Sequence, residues 1–138
     1  MRTLLDSSVL LDLIAPSDWR PWSEQRLVEA FDGGQVAINQ IVYAEVAAGY
    51  TTQDLLERAL GGMGVTRLNL PFSAAWRVAK AFREYRATGG PRRTPLPDFF
   101  IGAHAEVAGL TLLTRDPRRV RTYFGGVKLI APQETTPG

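Results

Sequence analysis

A chain of 138 residues, 45% hydrophobic and 22% charged, has the size and mixture of one ordinary globular domain with a real core. It has no cysteine, which excludes disulfides and thiolate metal sites. No apolar run reaches the roughly 18–20 residues that cross a bilayer, so no membrane role is expected.

The opening "MRTLLDSSVLLDLIAP" is apolar, but Asp6 and Asp12 interrupt it and no small-residue cleavage site follows. It therefore reads as structure rather than as a signal peptide, and a cytoplasmic setting is the expectation. "TLLD" predicts a short buried strand and "SVLLDLIA" a helix halted by Pro16. "WSEQRLVEAFDGG" predicts a helix with Leu27, Val28 and Phe31 inward, closed by its glycines. Then come a strand at "QVAINQ", helices at "IVYAEVAAGYT" and "DLLERALGG", and a strand at "VTRLNL". "SAAWRVAKAFREYRATGG" predicts a long helix with Trp76, Ala79, Phe82 and Tyr85 as its buried stripe. "DFFIGAHAEVAGL" is read as a helix, "LTLLT" as a strand, "PRRVRTYF" as a short helix and "VKLIAP" as a last strand. Alternation of this kind predicts an α/β domain over residues 1–132, a parallel sheet flanked by helices on both faces. The tail "PQETTPG", from about residue 133, is expected to be disordered.

Net charge is only +2, but cations cluster. Arg77, Lys80, Arg83, Arg86, Arg92 and Arg93 face the single Glu84, and Arg115, Arg118, Arg119, Arg121 and Lys128 follow in a second group. Planar guanidinium groups match phosphates, so Arg83, Arg86, Arg92, Arg93, Arg115 and Arg118 are candidate contacts to a polyanion. A solvated helix face is the competing reading.

Four acids fall at predicted strand ends or helix starts, where ligands of open α/β sheets gather. Asp6 closes "TLLD", Glu45 lies about a turn into the helix after the second strand, Asp98 begins its helix, and Asp116 follows "LTLLT". Each has an ordinary explanation as a helix cap, exposed residue or turn. Four at one pole of a sheet are harder to explain singly, because unpaired carboxylates repel each other unless cations neutralise them. Oxygen-only donors suit Mg²⁺, or Mn²⁺ as a substitute, in metal-assisted phosphodiester hydrolysis.

"LLDSSVLLDL", "INQIVYAEV", "PLPDFFIGAHA" and "LLTRDPRRV" occur in the order and spacing of a PIN-domain ribonuclease, and the chain most resembles the VapC type of toxin from toxin–antitoxin pairs. The resemblance runs from Met1 to about Pro132. It implies metal ligation by Asp6, Glu45, Asp98 and Asp116, the last often through water, with Ser8 and Thr114 fixing carboxylate rotamers. It also implies cleavage of RNA, a cognate antitoxin that wraps the toxin, and a homodimer within that complex. A PIN-fold module that binds RNA or a partner without cleaving is the alternative. Phosphotransfer through Asp6 ranks behind both, because Ser8 stands where such enzymes use a second Asp. His104 is predicted to face away from Asp98, at roughly 240° around the helix, and is discounted as a base. "GGMG" at 61–64 lacks nucleotide-binding spacing and is read as a turn. Trp19 and Trp22 are assigned equally to core packing or to a protein partner.

Overall fold

The computed structural model describes residues 1–89 and 96–132. Arg92, Arg93 and the tail from residue 133 lie outside the described residues. The elements run β1 (Arg2–Leu5), α1 (Ser7–Ile14), α2 (Arg20–Gly33), β2 (Gln35–Ile38), α3 (Gln40–Ala47), α4 (Gln53–Met63), β3 (Thr66–Arg67), α5 (Phe72–Ala87), α6 (Leu96–Ala108), β4 (Thr111–Leu113), α7 (Arg118–Tyr123) and β5 (Leu129–Ile130). The five strands form one sheet in the order β3-β2-β1-β4-β5, and every pair is parallel.

Successive strand residues point to opposite faces. Leu4 and Leu5 are both fully buried, as are Leu112 and Leu113, so helices must cover both faces of the central strands. The chain first builds outward from β1 to β2 and β3, then returns to add β4 on the other side of β1. That reversal opens a crevice at the carboxyl ends of β1 and β4. The register Leu5↔Leu113 brings the next residues, Asp6 and Thr114, side by side in it.

α6 is fixed from both sides by aromatic packing. Phe99 is fully buried, with ring centroids 5.7 Å from Tyr85 of α5, 5.0 Å from Tyr123 and 6.0 Å from Phe124. Truncating such a ring to Ala costs about 3–5 kcal/mol. Gly102, one turn on, lies so close to Phe124 that an added Cβ would meet its ring at 2.7 Å. These contacts set the rotation of α6 and with it the direction of Asp98.

Several sequence expectations are corrected. In α2, Ala30 is buried with Leu27 and Phe31 partly so, but Val28 faces solvent. The buried stripe of α5 is Ala74, Val78, Ala81 and Tyr85; Trp76 is 78% exposed. Small residues let α5 approach α6, which a stripe of Trp76 and Phe82 would hold apart. Gly61 and Gly62 do not make a turn: they lie within α4, which ends at Gly64 with φ of +74°, a left-handed cap that suits glycine. β3 and β5 are each two residues long, shorter than the runs that predicted them.

Candidate active site

Asp6 occupies the N-cap position of α1, yet its side chain makes no capping bond. Instead Ser8 Oγ donates to its Oδ2 at 2.8 Å and Thr114 Oγ1 donates to the same oxygen at 2.7 Å. The Thr114 hydroxyl also accepts the backbone N–H of Asp116 at 3.0 Å, and Ser8 Oγ accepts that of Arg115 at 3.2 Å. Two short side chains thus tie the turn after β4 to the carboxylate after β1.

Asp98 is the third described residue of α6 rather than its first, within the first turn where the helix dipole favours a negative charge. It is half-buried, and Arg119 Nη1 of α7 donates to its Oδ2 at 2.8 Å. Burial pushes the Asp98 carboxyl above the usual range, and the charges of Asp6 and Asp116 act in the same direction, while Arg119 opposes them. Glu45 lies in the second turn of α3, slightly deeper than the sequence indicated. Ser7 Oγ donates to its Oε1 at 3.0 Å. Its carboxyl is also raised, chiefly by burial, then by the charges of Asp6 and Asp98. Asp116 is exposed.

Asp6, Asp98, Asp116 and Thr114 line one small recess with Arg119. Beside it, Asp98, Asp116, Arg118 and Arg119 line a wider opening of about 400 Å³. Three of the four acids therefore share one recess; Glu45 is outside its lining, near enough for the charges of Asp6 and Asp98 to raise its carboxyl. The meeting is looser than a finished ligand cage. Among the described residues, no three acid or imidazole groups stand close enough to enclose a metal ion. Glu45 is bonded to Ser7 and Asp98 to Arg119. The donor set nevertheless fits a hard divalent cation, being all oxygen and short of positive charge. Arg119 sits at Asp98 as a partial neutraliser.

The candidate polyanion contacts divide. Arg83 and Arg86 are exposed on α5, with Arg86 stacked 4.6 Å from the Phe82 ring, and Arg118 is exposed beside the acids. Arg115 is different: its Nε donates to buried Asp12 at 3.0 Å, and its guanidinium lies 5.9 Å from the Trp19 ring. Its first partner is internal, while its side chain stays 35% exposed. Trp19 is 41% exposed at the start of α2, and Trp22 packs partly against the core.

His104 is buried, and among the described residues its hydrogen-bond partner is Asn39 rather than an acid. Asn39 caps α3 through Oδ1, which accepts from the N–H groups of Ile41 and Val42, so its amide nitrogen faces His104 Nδ1 at 3.0 Å. Nδ1 must accept, so the ring is neutral with its proton on Nε2. Burial lowers its pKa, as does the charge of Arg2. Arg119, Ser7 and Asp12 were not singled out by sequence reasoning. The partner of Arg119, Asp98, lies 21 residues away, a pairing that no local spacing signals.

The PIN domain family model matches residues 3–125. Among solved structures, the chain is similar to VapBC2 from Rickettsia felis bound to a DNA fragment from its promoter, with a TM-score of 0.74 and 16% identity over 96% of this chain and 100% of that one. VapBC-1 from nontypeable Haemophilus influenzae matches with a TM-score of 0.72 and 19% identity over 95% and 98%. A toxin–antitoxin complex from Klebsiella pneumoniae matches with 0.67 and 24% identity over 96% and 98%. At these identities the likeness is one of fold. No curated protein matches.

Proposed function

We propose that this chain, which belongs to the PIN domain family, is a metal-dependent endoribonuclease acting as the toxin of a toxin–antitoxin pair. The observation that carries the reading is the gathering of Asp6, Asp98 and Asp116 around one recess, with the Glu45 charge felt there too. Asp6, Glu45 and Asp98, with Asp116 through water, would hold Mg²⁺ or Mn²⁺. Such an ion supplies Lewis acidity toward a phosphate oxygen and lowers the pKa of a bound water.

This chain's residues do the rest. Ser8 and Thr114 hold the Asp6 carboxylate in one rotamer by donating to a single oxygen. Arg118 and Arg119 line the opening and bind the backbone phosphates of RNA. Asp116, exposed at the rim, orients the water that attacks phosphorus in line as the P–O bond to the leaving oxygen breaks. Arg83 and Arg86 extend the cationic track, with Arg92 and Arg93 assigned to it on sequence alone. A protein partner is supported by the toxin–antitoxin complexes among the structural neighbours, and a homodimer is the assembly proposed with it.

The test is cleavage of structured RNA by the purified chain with Mg²⁺ or Mn²⁺. Asp6→Asn is expected to slow it at least about a hundredfold, the scale on which a single electrostatic contributor to a transition state is felt. A variant that cuts as fast as the parent would end the reading and leave a non-cleaving RNA-binding module. Co-expression with a cognate antitoxin is expected to suppress the activity.

A further inference from the structure

A second recess, of about 360 Å³, opens at the same edge of the sheet but at the carboxyl ends of β2 and β3. Ile38 and Leu68 line it together with the Tyr43 ring and the carboxamides of Gln40, Gln53 and Asn69. Its charges cancel: Glu57 accepts from Arg67 Nη1 at 3.2 Å and from Tyr43 Oη at 2.9 Å, and the Arg67 guanidinium lies 5.2 Å from the Tyr43 ring. A neutral recess of this kind does not select a phosphate.

Its polar groups are arranged rather than scattered. Gln40 is held at both ends, its Nε2 donating to Asn69 Oδ1 at 3.0 Å and its Oε1 accepting from the Leu70 N–H at 2.8 Å. Gln53 Nε2 donates to Tyr43 Oη at 3.3 Å. Among the described residues, Asn69 Nδ2 and Gln53 Oε1 have no partner in these networks. One amide donor and one amide acceptor on exposed side chains, beside an aromatic ring and apolar groups, match the edge and face of a heterocyclic base.

We propose that this recess is a nucleobase subsite that gives the RNA substrate its base preference. The proposal rests on the ribonuclease reading of the carboxylate cluster. β3 lies two strand spacings from β1, about 10 Å along the sheet edge, a gap that a short stretch of unpaired RNA bridges. Tyr43 and Glu45 also share α3, so the base subsite and one acid of the proposed cation site sit on one rigid element. Asn39, which caps α3 and binds His104, anchors that element to α6, the helix of Asp98.

The experiment uses the whole chain with a chelator present, so that binding is read without cleavage. Four homopolymer RNAs about eight nucleotides long, and the four nucleoside 5′-monophosphates, are titrated by fluorescence anisotropy or calorimetry. The parent is expected to prefer one homopolymer. The Gln53→Ala/Asn69→Ala double variant is expected to bind that one about tenfold more weakly and the other three unchanged, with an unaltered melting temperature. Equal binding of all four by the parent, or an intact preference in the double variant, overturns the subsite. If cleavage with Mn²⁺ persists in either of those cases, the nuclease reading stands alone. If the parent cleaves no RNA yet binds one monophosphate in preference to the other three, and the double variant loses that preference, the nuclease reading falls and the recess is a free-nucleotide site. A double variant that loses its protein partner while keeping base preference assigns the recess to protein contact and overturns the proposal.

Discussion

Asp12 and Asp98 are both carboxylates drawn into the protein near the same end of the sheet, and they are treated in opposite ways. Asp12 is 2% exposed and accepts from Ser17 Oγ at 2.8 Å, Ser23 Oγ at 2.7 Å and Arg115 Nε at 3.0 Å. Asp98 is less buried but faces Asp6 and Asp116, with the half-exposed Arg119 paired to it, and its carboxyl is raised. Glu45 shares that condition. A buried charge with both oxygens engaged is a fastener. A cluster of carboxylates that oppose one another is where the proposed cation would bind. The two are coupled: the fastener holds Arg115, whose own N–H donates to Ser8, the residue that orients Asp6.

The difference is most sharply broken at Asp12. Asp12→Ala strips the acceptor from Arg115 and from fully buried Ser23. The expected loss is about 3 kcal/mol, the lower end for a broken buried pair because the Arg115 side chain is 35% exposed. Chemical denaturation measures it. A loss below about 0.5 kcal/mol, the scale of a surface substitution, would make Asp12 an ordinary exposed acid and dissolve the contrast.

The next effect belongs to the cluster. If it is short of positive charge, Mg²⁺ or Mn²⁺ stabilises the folded chain by mass action, by about 2.7 kcal/mol at a hundred times Kd. Thermal melts with and without the ion are expected to separate for the parent and for Ser17→Ala, which removes one bond to Asp12 and one to the Trp19 N–H. For Asp98→Asn they are expected to coincide. An equal shift in Asp98→Asn would place the cation elsewhere.

The contrast also marks what the linear sequence could disclose. β1 and β4 were legible because apolar runs buried on both faces leave little else for Leu4, Leu5 and Leu112 to do. Asp6 and Ser8 were legible because their partnership is local, two residues apart. The tie between Arg115 and Asp12 was hidden because the two lie 103 residues apart, across a contact that no spacing encodes. Arg119 and Asp98 meet over 21 residues for the same reason. The α5 stripe failed differently. A period of 3.6 fits adjacent stripes of one helix almost equally, and the large Trp76 attracted the choice although Ala74, Val78 and Ala81 allow the closer packing.

The smallest effect is the one whose sign says most. Glu45→Gln keeps an oxygen for the Ser7 hydroxyl but removes a charge that Asp6 and Asp98 oppose. Without metal, the variant is expected to be more stable than the parent at neutral pH, by less than about 1 kcal/mol, the scale of a partly screened pair. The sign follows from linkage. A carboxyl raised in the folded state contributes stability below its unfolded pKa, and that stability is lost as pH rises through the folded value. The parent should therefore lose stability relative to Glu45→Gln as pH climbs above the ordinary glutamate value of 4.5, and the two should converge below it. Melts of both proteins in chelator, from about pH 4 to about pH 8, measure the gap. A gap that narrows with rising pH would mean that Glu45 is compensated like Asp12, and the cation would lose one of its proposed ligands.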